Sequence, residues 1–299
     1  MPMEVPIMDK ITELFCLIDD FCQQFEPLLE QRMLDSSGKQ RRNRTGSMSL
    51  SEMTTIVVLF HTMRGRQFKE FYRGNVCRFM TSEFPRQLSY TRFVALMPRC
   101  ATVLAALFAT LKGACTGLSI ADSTPLAVCH NLRIQRHKVF QKVAQRGKSS
   151  TGWFYGFKLH ALINHRGELL AIKVTPGNVD DRKGLLAIAS NLFGKLYADK
   201  GYIGKEFVQK MKDKGIDVVT RVRKNMKEVM HCEFDQVLLR KRSLVETVFD
   251  ELKNLCQIEH TRHRSLSNFA VNLMAGIVAY CLQPVKPHIA VWDSRDTPA

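Results

Sequence analysis

The hydrophobic period of the chain changes near residue 117, and this change limits the possible folds more than any other feature. Before it, apolar residues recur every three or four positions, as Ile11, Leu14 and Ile18 do, which is the spacing of an amphipathic helix. After it, β-rich runs such as FKLHALIN at 157–164 appear. The sequence therefore predicts a helical N-terminal part followed by a part that contains a sheet.

The helical part contains several short elements. Helical patterns cover about residues 10–34, 50–63, 67–80 and 88–97. Ser49 or Ser51 can cap the second helix, with Glu52 in its first turn. Short helices with basic joints are typical of a helix-turn-helix DNA-binding module. They are equally typical of a helical bundle with no role in DNA binding, and the sequence leaves both open.

The second part alternates strands and helices after a hairpin. We predict strands at 118–128, 157–164, 169–175, 195–199 and 217–222, and helices at about 181–193, 204–214, 243–260 and 266–282. Gly167 supplies the turn of the hairpin between the second and third strands. This order predicts an α/β fold with a mixed sheet covered by helices. We divide the chain into a small all-helical domain over 1–110, with DNA binding as its expected role, and a second domain over 111–299.

The net charge indicates the class of partner. There are 44 Lys and Arg residues against 28 Asp and Glu residues, a formal net charge of +16. Such a surplus favours a polyanion, and nucleic acid in particular, through Coulomb attraction and counterion release. No apolar run approaches the roughly 20 residues needed to span a bilayer, and no basic amphipathic segment indicates a membrane partner. Nine scattered cysteines without a CxxC pair predict free buried thiols in a reducing cytosol.

Three acidic residues occupy better-defined positions than the others. Asp122 lies within the first strand, in IADST, and Asp199 ends the fourth strand, in YADKGY. Glu246 lies on the helix after the fifth strand, in RSLVETVFDELK. A carboxylate in a strand core is costly unless it is paired or bound to a metal. Taken singly, each of these acids has the alternative interpretation of a solvated surface residue.

A set of two or three carboxylates without His or Cys suits particular metals. Mg²⁺ is a hard cation that prefers carboxylate and water oxygens, so the set favours Mg²⁺ or Mn²⁺ over zinc. Two such ions about 3.5–4 Å apart can clamp the attacking and leaving oxygens of a phosphodiester. The acids therefore predict metal-dependent cleavage of a phosphodiester bond.

The segment around Glu246 adds two cations to the pattern. At 100° per residue, Lys253 lies about 20° and Arg242 about 40° from Glu246 on a helical wheel. One interpretation is an ordinary ion pair worth about 0.2–0.5 kcal/mol. The other is a metal ligand flanked by two contacts to phosphate. Asp250 lies about 40° from Glu246, so helical phase alone does not exclude it as the ligand.

The chain resembles bacterial insertion-sequence transposases of the DDE class. The spacing R-x3-E-x6-K over 242–253 is similar to the signature around the catalytic glutamate of that group, although a tyrosine of the signature is Leu239 here. The motifs IADSTPLAVCH, GFKLHALIN, VTPGNVDDR and LYADKGYIG resemble insertion sequence family 982. The resemblance covers about 115–283, and over 1–110 it is only general.

This resemblance implies an RNase H-like mixed sheet in which the first and fourth strands are adjacent. It implies that Asp122, Asp199 and Glu246 are the catalytic residues and bind Mg²⁺ or Mn²⁺, and that Arg242 and Lys253 contact DNA phosphates. The expected activity is binding of the element's terminal inverted repeats, metal-dependent DNA cleavage and strand transfer into target DNA. We expect a homodimer when the protein is bound to double-stranded DNA, and a bacterial cytoplasmic location associated with the nucleoid.

Two other functions and several other residues remain open. The rivals are an RNase H-like nuclease that does not join strands and a DNA-binding regulator with an inactive core. Asp180 and Asp181, in GNVDDR, compete for a catalytic role, with helix capping as the favoured alternative. The segment 133–148 carries six Lys and Arg residues, and Trp153, Phe154 and Tyr155 follow it. Such a pattern is typical of a single-strand contact by stacking, or of a solvated loop.

Overall fold

The computed structural model describes residues 7–37, 46–150, 152–221, 232–259 and 263–290. The helices are α1 (Ile7–Ser37), α2 (Leu50–Thr62), α3 (Phe68–Phe71), α4 (Cys77–Phe79), α5 (Tyr90–Leu96), α6 (Cys100–Leu111), α7 (Asp181–Leu186), α8 (Lys205–Lys212), α9 (Glu233–Lys241), α10 (Leu244–Asp250) and α11 (Leu266–Cys281). The strands are β1 (Leu118–Cys129), β2 (Gln145–Ser149), β3 (Gly152–Asn164), β4 (Leu169–Pro176), β5 (Gly194–Ala198) and β6 (Ile216–Thr220). Two π-helical segments, Tyr72–Val76 and Glu251–Leu255, continue α3 and α10.

The chain forms two compact units. One combines the chain up to Leu111 with Leu252–Leu282, and the other combines Lys112–Glu251 with the segment that begins at Gln283. The helix α11 therefore packs with the N-terminal helices, whereas the boundary expected at residue 110 assigns it to the second domain. The division into a DNA-binding domain and a catalytic domain stays a prediction.

The first unit is a helical bundle in which α2, α6 and α11 pack against one another, and α1 packs on α2. The predicted cap of α2 is confirmed for Ser49. Its hydroxyl accepts a hydrogen bond from the Glu52 amide at 3.0 Å, and its own amide donates to the Glu52 carboxylate at 2.6 Å. This reciprocal capping box satisfies two amides that an α-helix otherwise leaves without partners.

The helix α6 is absent from the predicted elements. The sequence pattern ends the last helix at Pro98, but Pro98 lies in the first turn of a 3₁₀ segment, Met97–Arg99, that leads into α6. Proline is accepted there because the amide it lacks has no partner at a helix start. The helical stretch Tyr90–Leu111 is long and apolar enough, by length and composition alone, to cross a bilayer. A core helix passes the same test, and five residues of α6 are buried.

The second unit contains a mixed sheet, as expected, and this sheet has six strands where five are predicted. The strand order is β2-β3-β1-β5-β6, with β4 also paired to β3. The long strand β1 is antiparallel to β3 and parallel to β5, and β5 is parallel to β6. The adjacency of the first and fourth predicted strands, β1 and β5, is thereby confirmed. The strand β2 is not among the predicted strands, because its sequence, QRGKS, has no alternation of apolar and polar residues.

Helices cover both faces of this sheet. The α7 and α8 side has a core of twelve buried residues that includes Ala121 and Ala198 of the sheet. The helix predicted at 181–193 is shorter than expected, since α7 ends at Leu186. Ala189 and Leu192 are buried in the irregular segment that follows it. The helix predicted at 243–260 is also different: α9 precedes it, and α10 passes into a π-helical segment after Asp250.

A buried carboxylate ties α9 to β5. Asp235 accepts hydrogen bonds from the Lys195 ammonium at 2.8 Å and from the Tyr197 hydroxyl at 2.7 Å. Burial raises the pKa of Asp235, but the hydrogen bonds from Lys195 and Tyr197 outweigh it and leave the pKa below its usual range. Tyr197 is almost fully buried, so its hydroxyl depends on Asp235 for an acceptor. This contact fixes the position of the helix that leads to residue 242.

We expect Asp235→Ala to lower the free energy of unfolding by about 1–3 kcal/mol, because it leaves the buried Tyr197 hydroxyl without an acceptor. Urea denaturation followed by circular dichroism measures the difference. Glu233→Ala is the matched control, since Glu233 is an exposed acid in the same helical turn. Equal stability of the two variants would show that the buried network does not hold α9 in place.

Candidate active site

Asp122 and Asp199 lie side by side because two parallel strands are in register. Ala121 of β1 is opposite Ala198 of β5, and each aspartate is the next residue along its chain. Neighbouring strands are about 4.8 Å apart. Ala121 and Ala198 belong to the core on the α7 and α8 side, so the alternation along a strand turns both aspartates toward the other face. The sheet register thus brings two of the three predicted acids together.

The guanidinium of Arg242 lies among all three predicted carboxylates. Arg242 is in the short connection between α9 and α10. Its Nη1 is 3.6 Å from Asp122 Oδ2, and its Nη2 is 3.3 Å from Asp199 Oδ1 and 4.0 Å from Glu246 Oε1. The structure therefore brings the predicted acids Asp122, Asp199 and Glu246 around a single cation. The contact of Arg242 with a DNA phosphate stays a prediction, and its guanidinium lies beside carboxylates in this structure.

The three carboxylates differ in their exposure to water. The side chain of Asp122 is 24% exposed, whereas those of Asp199 and Glu246 are 56% and 63% exposed. Burial raises the pKa of Asp122 to about 6; the Asp199 and Asp181 carboxylates add to the rise, while the Ser123 amide and Arg242 oppose it. The negative charge of Asp122, the most buried of the three acids, is therefore unfavourable in the folded protein.

A fourth carboxylate, Asp181, for which the sequence leaves a catalytic role and helix capping open, lies next to this group. It accepts hydrogen bonds from the Ser123 hydroxyl at 2.7 Å and from the Lys158 ammonium at 3.0 Å. Ser123 follows Asp122 in β1 and its amide donates to the Asp122 carboxylate at 2.8 Å. Asp181 therefore holds the strand segment that carries Asp122. The sequence run GNVDDR contains this aspartate, but its position before a predicted helix favours helix capping for both Asp180 and Asp181.

The capping prediction is confirmed for Asp180 and incomplete for Asp181. The Asp180 carboxylate accepts a hydrogen bond from the Arg182 amide at 2.9 Å at the start of α7. Hydrogen bonds from the Arg182 guanidinium and amide, opposed by burial, lower the pKa of Asp180 to about 2. His160 of β3 is buried, and its Nε2 is 2.8 Å from the Thr175 hydroxyl. Burial lowers the pKa of His160, and the Asp181 carboxylate opposes this shift.

Lys253 has a different environment from the one that the helical wheel predicts. It lies in the π-helical segment Glu251–Leu255, where each turn contains more residues than in an α-helix. The step of 100° per residue therefore does not apply after Asp250. Lys253 belongs to the first unit, and its ammonium is 3.1 Å from the Glu259 carboxylate. A contact between Lys253 and DNA stays a prediction.

The donor atoms around Arg242 fit a hard divalent cation. Three carboxylates with no His or Cys ligand are the oxygen donors that Mg²⁺ and Mn²⁺ prefer. Among the residues that the structure describes, no three His, Cys, Asp or Glu side chains are close enough together to bind one metal ion. All three carboxylates instead approach the guanidinium. The guanidinium of Arg242 therefore supplies positive charge where the three carboxylates approach one another.

Two clefts border the carboxylates. One, of about 330 Å³, is lined by Asp199, Glu246 and Arg242 together with three more cations, Lys200, Arg221 and Arg240. The other, of about 380 Å³, runs past Asp181, Lys158 and the β2–β3 hairpin. Both clefts combine a carboxylate edge with basic walls. Such walls attract polyanions to the place where the acids lie.

The raised pKa of Asp122 has a consequence for stability. The folded protein binds this proton more tightly than the unfolded chain does, so the stabilisation is complete below about pH 4 and is lost as the pH rises through 6. We expect metal-free Asp122→Asn to be more stable than the wild type at pH 8, by on the order of 2 kcal/mol. Thermal unfolding at pH 8 and pH 4 measures this, and the difference disappears at pH 4.

Asp217→Asn is the control for this experiment, because Asp217 is an exposed aspartate on the nearby strand β6. Its effect is small at both pH values. An Asp122→Asn variant that is less stable than the wild type at pH 8 would contradict the burial of an unfavourable charge.

The sequence comparisons agree with this geometry. Residues 112–266 match the family model described as a transposase DDE domain. The matched region begins just before β1 and ends at the start of α11, so it contains Asp122, Asp199 and Glu246. A search of curated proteins gives no match to this chain. The match covers more than half of the chain, and with the mixed sheet and its flanking helices it shows that the protein belongs to the transposase DDE domain family, whose fold is RNase H-like.

Proposed function

We propose that this transposase cuts DNA at the terminal inverted repeats of its own element and joins the freed 3′-hydroxyl to target DNA. The observation that carries the proposal is the arrangement of Asp122, Asp199 and Glu246 around one cationic group at the join of β1 and β5. Asp122 is the most buried of the three, and its negative charge is costly unless positive charge lies near it. A site that requires positive charge is suited to divalent metal catalysis.

Asp122, Asp199 and Glu246 would hold Mg²⁺ or Mn²⁺. When bound, two such ions stabilise the charge on the attacking and leaving oxygens of a phosphodiester. The protein contributes the position of the carboxylates: Ser123 and Asp181 hold the segment of Asp122, and the sheet register places Asp199 beside it. The guanidinium of Arg242 supplies one positive charge within 4.0 Å of all three carboxylates. In its predicted contact with DNA, Arg242 would give up one of its ion pairs with the carboxylates and pair with a phosphate instead.

The cations of the smaller cleft support DNA as the molecule that approaches these acids. Lys200, Arg221 and Arg240 line the cleft beside Asp199 and Glu246. A transposase has DNA as its partner, and basic side chains beside the acids would hold its phosphates while a bond is cut. Reading of the terminal repeats by the helical unit, a homodimer on DNA, membership of insertion sequence family 982 and a location in the bacterial cytoplasm at the nucleoid are further parts of this proposal.

We expect Asp122→Asn, Asp199→Asn and Glu246→Gln each to lose at least about 100-fold in DNA cleavage with Mg²⁺. This exceeds the roughly 10- to 100-fold cost of losing a group that only supports a ligand. The substrate is a plasmid that carries the DNA flanking the coding sequence, and nicking is followed on gels. DNA binding remains near the wild-type level, because each change removes one negative charge and none of the basic surface.

Asp250→Asn is the matched control, since Asp250 is an exposed acid one helical turn after Glu246. We expect this variant to keep most of its activity. An active Glu246→Gln with an inactive Asp250→Asn would move the third ligand by one turn. Joining of a 3′-hydroxyl oligonucleotide to a second plasmid separates a transposase from a nuclease, and binding without any cleavage would indicate a regulator with an inactive core.

Affinity for DNA should depend steeply on salt, because binding of the basic protein releases condensed counterions. The logarithm of the affinity falls by about 0.9 for each neutralised phosphate per unit of log salt concentration. Fluorescence anisotropy of a labelled duplex in a salt series measures the slope. Arg240→Ala, in the cleft beside Asp199, reduces the slope by about one. An affinity that is constant between low and moderate salt would exclude phosphates as the main contact.

A further inference from the structure

A large aromatic side chain is exposed in the cleft that Asp181 also lines. Trp153, in β3, is 54% exposed although tryptophan is one of the side chains that gain most from burial. Two cations lie over its ring: the Arg146 guanidinium is 5.3 Å from the ring centroid and the Lys148 ammonium is 5.8 Å from it. Both cations are exposed. An indole with two adjacent cations offers a flat apolar face and positive charge at one place.

The β2–β3 hairpin holds this group in position. Lys148 is directly opposite Trp153 in the antiparallel pairing, and Arg146 is two residues along the same strand, so all three side chains lie on one face. The Trp153 carbonyl accepts a hydrogen bond from the Asn131 amide group at 2.7 Å. A Cβ at Gly147 would overlap the carbonyl of the residue that follows β4, so glycine allows β2 to approach that loop closely. These contacts fix the backbone of the hairpin that carries the aromatic ring.

The larger cleft contains both this ring and Asp181, the carboxylate that accepts a hydrogen bond from Ser123. Its lining includes Trp153, Arg146 and Lys148 of the β2–β3 hairpin, and also Lys158, Asp181 and Gly201. Asp181 accepts a hydrogen bond from the residue after Asp122, and Gly201 is two residues after Asp199 in the sequence. The volume of about 380 Å³ is within the range of pockets for small ligands, roughly 300–1,000 Å³. A group on the ring would therefore lie in the same cleft as Asp181, which neighbours Asp122 through Ser123.

We propose that Trp153, with Arg146 and Lys148, binds an unpaired nucleotide of the DNA strand that reaches the carboxylates. The ring stacks on the base, and the two cations contact its phosphates. Stacking requires an accessible base face, which a duplex covers with its neighbouring base pairs and an unpaired nucleotide exposes. The inference rests on the proposed function, in that it identifies the form of DNA held next to the acids.

Two labelled DNA molecules test this: a blunt duplex, and the same duplex with a four-nucleotide 3′ extension. Binding is measured by anisotropy with EDTA present, so that no strand is cut. We expect the wild type to prefer the extended DNA. Trp153→Leu, which keeps apolar bulk but has no aromatic face, weakens binding of the extended DNA about tenfold and binding of the blunt duplex less than twofold. Trp153→Phe keeps most of the preference.

A second measurement reports stacking directly. With 2-aminopurine in the extension, its emission is quenched by the wild type and by Trp153→Phe, and it is restored with Trp153→Leu. Phe234→Leu is the control, since Phe234 is also an exposed aromatic residue of this unit but lies outside the lining of the cleft. An unchanged preference or unchanged quenching with Trp153→Leu overturns the proposal. So does an equal loss of affinity for both DNA molecules.

These outcomes are separate from the test of the proposed function. Binding with EDTA needs neither a metal ion nor an active carboxylate. Full cleavage by Asp122→Asn would refute the metal site and leave the stacking result valid. Loss of cleavage in Asp122→Asn together with unchanged binding by Trp153→Leu would refute the stacking site alone.

Discussion

The parallel pairing of β1 with β5 is the constraint on which the site depends. It places Asp122 and Asp199 on adjacent strands at the same level, where two negative charges repel each other. Desolvation adds to this cost at Asp122, whose pKa rises to about 6. The fold therefore keeps an arrangement that lowers its own stability. Arg242 reduces the cost by approaching both aspartates and Glu246.

The position of Arg242 depends in turn on a break in a helix. The chain leaves α9 at Lys241 and begins α10 at Leu244, so Arg242 lies at the junction of the two helices. Asp235 anchors α9 to β5 through Lys195 and Tyr197, one strand away from β1. The sheet that carries the two aspartates thus also positions the cation that neutralises them. Backbone register, helix anchoring and charge balance act together at this point.

The sequence predicts the site better than it predicts the elements around it. Asp122, Asp199 and Glu246 follow from strand positions and from a spaced motif, and the structure brings all three around Arg242, while their catalytic role stays a prediction. The strand β2 has no apolar alternation, and it forms because β3 offers a free edge. The role of Asp181 depends on its contact with Ser123, 58 positions away, which no local rule detects. What the sequence misses is fixed by tertiary contacts.

The boundaries of the two units do not coincide with a single cut of the chain at residue 110. A deletion at residue 110 therefore does not isolate the function of either unit. The helix α11 packs against α6 and α2, so removal of residues 1–110 would expose its buried residues. A loss of specific DNA binding in such a truncated protein would then have two causes: the absence of residues that recognise DNA, and the instability of α11. The chain passes from the second unit to the first at residue 252, within the π-helical segment that follows α10. Removing Leu252–Leu282 as well would cut the chain just beyond the Glu246 helix. Substitutions on the exposed face of the bundle are therefore a cleaner way than deletion to test whether the helical unit reads DNA.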